Sequence, residues 1–99
     1  MTDINVKNVI ESTDFMRADG AVLAEAVSRA LQAGNDDVRL DFAEIDSATS
    51  SGTCGFFSAV VKACGEQSVS RLIFSNASAW VMDSLEIGHE RITGHKEHA

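Results

Sequence analysis

Proline is absent from this 99-residue chain. No turn can therefore lean on a ring-fixed φ, and the turns must be made by Gly, Asn, Asp and Ser. Cations are scarce: eight Lys and Arg stand against fifteen Asp and Glu, a formal charge of −7. The eight are scattered, which excludes the clustered positive charge that a phosphate backbone requires, so no direct nucleic-acid binding is expected. The same acidity suits a partner with a basic docking face. Long apolar runs are missing as well. No window approaches the roughly 18 consecutive apolar residues of a membrane span. The start, Met1-Thr2-Asp3-Ile4-Asn5, has neither the basic nor the apolar region of a signal peptide. The chain reads as cytoplasmic.

There are only two cysteines, Cys54 and Cys64. Placed ten apart in one helix they would lie roughly 15 Å from each other, too far for a disulfide. Free thiols in a reducing compartment are expected, as small helix-packing residues. His89, His95 and His98 share no periodicity and fall around and beyond the last helix, which reads as a solvated tail rather than a metal site. Neither metal nor cofactor is expected. Gly-x-Ser-x-Gly turns, phosphate-binding loops and dinucleotide fingerprints are all missing, and the serine-rich stretch has no histidine near it in sequence, so the chain is expected to have no catalytic activity.

What is present is an alternation of strand and helix patterns. Ile4, Val6, Val9 and Ile10 alternate loosely and predict a first strand over Ile4–Ile10. A turn region, Ser12 to Gly20, leads to a helix that Asp19 can cap, with Val22, Leu23, Ala26, Val27, Ala30 and Leu31 at helical spacing and Gly34 as its stop. Val38 to Phe42 predicts a second strand, and Cys54 to Cys64 a second helix closed by Gly65. Ser70 to Phe74 predicts a third strand. Asn76 or Ser78 can cap a third helix that carries Trp80, Val81 and Leu85 and ends at Gly88, with Trp80 partly in the core. A weak pairing segment is expected at Arg91–Thr93. This order predicts one α/β domain over residues 1–99, a mixed, mostly parallel sheet with helices mainly on one face and a frayed tail at 94–99.

The most informative stretch is Leu40-Asp41-Phe42-Ala43-Glu44-Ile45-Asp46-Ser47-Ala48-Thr49-Ser50-Ser51-Gly52-Thr53. An apolar strand runs through a polar turn into a helix, so the hydroxyls gather where backbone N–H groups are unpaired and the helix dipole is positive. Ser50 reads there either as the helix N-cap, bonding the N–H of Gly52 or Thr53, or as a phosphate acceptor. Gly52 and Gly55 allow another backbone to come close, whether from the protein's own sheet or from a partner.

These residues resemble the STAS domain family, the fold of sulphate-transporter and anti-sigma-factor-antagonist domains, whose core pattern is an apolar strand, Asp, a short turn, then Asp-Ser-Ser/Thr-Gly at a helix start. Leu40-Asp41-Phe42 is similar to the strand. Counted from there without gaps, the family's glycine falls at Gly52, its phosphorylatable serine at Ser50 and its preceding aspartate at Thr49. Leu72-Ile73-Phe74-Ser75-Asn76 is similar to the strand and Asn turn before the next helix, and Leu85-Glu86-Ile87-Gly88 to that helix's end. The run before the first helix is short for the family, and Ala77 stands where a proline is usual. A second register, with Asp46-Ser47 as the Asp-Ser pair, loses the following glycine. Asp41-Phe42 with Thr49-Ser50-Ser51 is also similar to a STAS-like family of unknown function.

The resemblance implies a stand-alone STAS-like domain that acts as an anti-sigma-factor antagonist in bacterial partner switching. It would bind an anti-sigma serine kinase through Asp41, Thr49, Ser50, Ser51, Gly52 and Thr53, and phosphorylation of Ser50 would release it. The alternative is a non-phosphorylated STAS or STAS-like subunit of a transport or signalling complex that uses the same face constitutively. A dimer is compatible with either.

Overall fold

Val38 and Leu40 are buried and Arg39 between them is exposed, so the alternation that predicts a strand also decides which side of it carries the core. In the computed structural model, which describes residues 1–34 and 36–94, they lie in β3 (Val38–Asp41). The other strands are β1 (Thr2–Asn5), β2 (Asp14–Phe15), β4 (Ser47–Ala48) and β5 (Leu72–Ser75). The helices are α1 (Val6–Ile10), α2 (Arg17–Ala33), α3 (Ser50–Cys64) and α4 (Ala79–Thr93), with a 3-10 turn at Glu66–Arg71. One sheet has the order β1-β3-β5 and a two-stranded one pairs β2 with β4, every pairing parallel. The α/β class with a parallel sheet is thus present.

In the register Thr2–Val38–Leu72 and Ile4–Leu40–Phe74, one sheet face turns toward the helices. Its core holds Leu23, Val27, Phe42, Phe56, Phe57, Val60, Val81 and Leu85. The opposite face carries Asp3 and Arg39, ion-paired at 3.5 Å and open to solvent. Helices cover only one side. Arg71 closes the C-terminal end of α2: its guanidinium donates to the carbonyls of Leu31 (3.1 Å) and Gly34 (2.7 Å), at a helix end that leaves carbonyls without partners, and to that of Asp36 (2.6 Å) in the loop beyond.

Several sequence expectations need correction. Ile4–Ile10 is not one strand: the Asn5 side chain accepts from the Asn8 N–H at 2.9 Å and starts α1. Val6, Val9 and Ile10 stand at i, i+3 and i+4, a helical spacing that a loose alternation also fits. The turn regions 12–20 and 43–49 contain the two-residue strands β2 and β4, too short to show a period. The third helix does not stop at Gly88 but runs to Thr93, so Arg91–Thr93 is its last turn and not a pairing segment. Gly94 ends it in the left-handed region (φ 74°), its N–H on the Glu90 carbonyl at 2.8 Å. The rest of the expected frayed tail, with His95 and His98, lies outside the described residues. His89 belongs to α4, its ring edge-on to Phe57 at 5.5 Å, and not to a solvated tail. Trp80 is 67% exposed where partial burial was expected. Both cysteines are free thiols, as their spacing implies.

Candidate functional site at the start of α3

Strand β4 delivers the chain to α3 beside the end of β2, where the Thr49 N–H donates to the Phe15 carbonyl at 3.0 Å. The N-cap of α3 is Thr49, not Ser50: the Thr49 hydroxyl oxygen accepts from the Gly52 N–H at 3.0 Å and lies 3.3 Å from the Ser51 hydroxyl. Ser50 is the first helical residue. It is half-buried, and among the described residues its hydroxyl has no hydrogen-bond partner. Ser51 is exposed. The first N–H groups of α3 have no carbonyl one turn earlier to bond, so an uncommitted hydroxyl sits at the positive end of a helix.

The next two residues face inward. A Cβ on Gly52 would come within 2.8 Å of the Phe15 carbonyl oxygen and 2.9 Å of Met16, so this glycine exists for packing against the start of α2. Thr53 is fully buried, and its hydroxyl donates to the Ser84 carbonyl at 2.7 Å, with the Ser50 carbonyl at 3.2 Å. Ser84 in turn donates to the Ala48 carbonyl at 2.7 Å. Gly52 and Thr53 therefore fix the angle of α3 and have no side-chain surface for a partner. The reachable part of the expected set is Thr49, Ser50 and Ser51 at the helix start, with Asp41 half-buried at the end of β3. The alternative register places its serine elsewhere: Ser47 lies in β4, not at a helix start, and its hydroxyl donates to Asp14 at 2.8 Å.

Asp41, at the carboxyl end of β3, serves the adjoining turns. Its Oδ1 accepts from the Ala43 N–H at 2.9 Å and from the Asn76 amide at 3.0 Å, tying the β3–β4 turn to the β5–α4 turn. Asn76 does not cap α4; Ser78 does, accepting from the Val81 N–H at 3.2 Å. Asn76 instead takes the left-handed conformation (φ 57°) that its short amide tolerates. The hydrogen bond from Asn76, then that from Ala43, with a smaller contribution from the Arg39 charge, hold the Asp41 carboxyl below its ordinary value of 3.8. Because the folded-state value is the depressed one, this stabilisation is present above the unfolded value and is lost as the pH falls through the folded one. We expect Asp41→Asn to lose less stability than the wild type when chemical unfolding is compared at neutral and acidic pH.

Two exposed apolar residues, Met16 before α2 and Trp80 in the first turn of α4, were not singled out by the sequence as surface groups. Met16 is 51% exposed with its backbone bordering Gly52, and Trp80 is 67% exposed one turn before Ser84 on α4. No sequence pattern distinguishes an exposed Trp from a buried one on an amphipathic helix. Among the described residues no helix is long and apolar enough to cross a membrane. No protein-family profile, curated protein or solved structure matches the chain.

Proposed function

We propose that this chain is an interaction domain of the STAS-like, anti-sigma-factor-antagonist type. It binds a serine kinase of the partner-switching class through the start of α3 and is released when Ser50 is phosphorylated. The observation that carries this reading is the division of labour between Thr49 and Ser50. Thr49 holds the cap, so the Ser50 hydroxyl has no structural task and stands half-exposed at the helix N-terminus. Unmodified, Ser50 and Ser51 with the neighbouring Met16 give a neutral, partly apolar surface that a partner can cover. A phosphate adds about −1.5 to −2 charges at that spot. The helix dipole and free N–H groups stabilise it within the domain, so the modification acts on the interface rather than on the fold.

The second reading, a constitutive interaction subunit without phosphorylation, draws on Thr49 itself. The residue preceding the acceptor supplies a cap where the switching pattern has an acid that a kinase could use. Labelling separates the two. Incubated with ATP and a serine kinase of the partner-switching class from the same cell, the wild type should take up phosphate and Ser50→Ala should not. Equal labelling of both proteins would remove Ser50 from the account, and labelling of neither would favour the constitutive module.

A further inference from the structure

Helix α4 buries one side, through Val81, Ser84, Leu85 and Gly88, and Ser84 bonds the Ala48 carbonyl there. Outside that side stand two large apolar residues, Trp80 at 67% and Ile87 at 43% exposure. At 100° per residue, seven positions bring a helix back to within about 20°, so Trp80 and Ile87 form one line along the axis, about 10 Å long. Arg91 ends that line one turn later. Asp83 and Glu90 repeat at the same interval and form a second, acidic line about 60° round the helix from the first, on the side away from Ser84. Glu86 continues the acidic sector. All three acids are exposed, and none is ion-paired among the described residues.

Two parallel lines select the shape of the occupant. An extended segment sends successive side chains to opposite sides, so it cannot lay an apolar row and a charged row on the same neighbour. A helix laid along α4 can, because residues three apart in a heptad stand side by side, as at the d and g positions of paired helices. The acids set its sign. A second copy of this chain would bring the same acidic row and another −7 of formal charge against the first. We infer that the open side of α4 docks an amphipathic helix of a partner protein, whose apolar seam covers Trp80 and Ile87 and whose Lys or Arg residues, along one flank of that seam, meet Asp83 and Glu90. Trp80 is the anchor, a large rigid ring of the type that dominates such contacts once covered. The inference rests on α4 alone and is independent of the reading of Ser50.

Trp80 is the single tryptophan of the chain, so its fluorescence reads the site directly. The probe is a capped synthetic helix of about twenty residues, with leucine at the a and d positions and arginine at g, titrated into the full chain. Binding should shift the Trp80 emission to the blue and saturate, and salt should weaken it. A peptide of the same composition in scrambled order should leave the emission unchanged, and so should one with glutamate in place of arginine. Ile87→Ser changes an exposed side chain, and with its fold verified by circular dichroism it should bind about tenfold more weakly. The double variant Asp83→Lys, Glu90→Lys should reverse the preference, taking the glutamate peptide and refusing the arginine one. Unmoved emission, an equal response to the scrambled peptide, full affinity of Ile87→Ser, or a preference that survives the charge reversal would overturn the inference. So would a blue shift that grows with protein concentration alone, because a second copy would then cover the face.

Discussion

Phe15→Ala should cost about 3–5 kcal/mol, a large share of the about 5–15 kcal/mol that typically holds a whole domain folded. Phe15 sits in a strand of only two residues, yet it is fully buried. Its ring meets Phe42 edge-on at 6.1 Å and Phe56 at 6.4 Å, bridging the β3–β4 turn to α3. Removing it leaves a cavity between the β3–β4 turn and α3, and α3, in close approach to α2 through Gly20 and Gly52, cannot move to fill it. Urea unfolding should show the midpoint falling sharply with the slope retained. A loss below about 1 kcal/mol would mean that the site collapses, contrary to the packing described.

Gly20→Ala should have the next largest effect, near 3 kcal/mol, with a sign opposite to helix propensity. In a solvent-facing helix, alanine gains up to about 1 kcal/mol over glycine. At Gly20 an added Cβ would run into the Gly52 carbonyl oxygen and reach the Phe56 backbone nitrogen at 3.0 Å, main-chain atoms that cannot swing aside. Accommodating it means shifting α2 from α3, at the upper end of the roughly 1–3 kcal/mol typical of overpacking. Gly55 supplies the control. Its nearest neighbour is the Arg17 carbonyl oxygen at 4.0 Å, so Gly55→Ala should be neutral or stabilising by up to about 1 kcal/mol. Thermal and urea unfolding of the two variants should diverge in sign.

These close approaches show where the sequence is readable and where it is not. Strands β3 and β5 and helices α2 and α3 follow from apolar spacing, because each has one face against the core and enough residues to show a period. The pairs β2 and β4 have no period to show, and α1 hides behind a loose alternation. The hydroxyl cluster at the start of α3 is visible in the sequence. Which hydroxyl caps and which stays free is decided by one residue of register, Thr49 against Ser50. The inward turn of Gly52 and Thr53 depends on α2 and α4, through Phe15, Met16 and Ser84, residues 31 or more positions from one or the other. Gly88 resembles a helix stop, but in the folded chain it makes room for Thr53, whose hydroxyl oxygen would lie 2.6 Å from an added Cβ. A glycine required by a neighbouring helix cannot be told from a glycine that ends its own helix by local sequence.

The same tertiary constraints bear on the proposed switch. The α3 start is anchored from inside through Thr49, Gly52 and Thr53, so the proposed phosphorylation of the half-buried Ser50 is expected to leave the helix in place. The most direct test is the affinity of the chain for the proposed partner, a serine kinase of the partner-switching class, measured by calorimetry for the unmodified protein and for protein carrying phosphoserine at position 50. We expect a loss of affinity of about a hundredfold or more, near 3 kcal/mol, with closely similar thermal unfolding of the two forms. Equal affinity of the two forms would contradict the account, and so would a phosphorylated form that binds less only because it has unfolded.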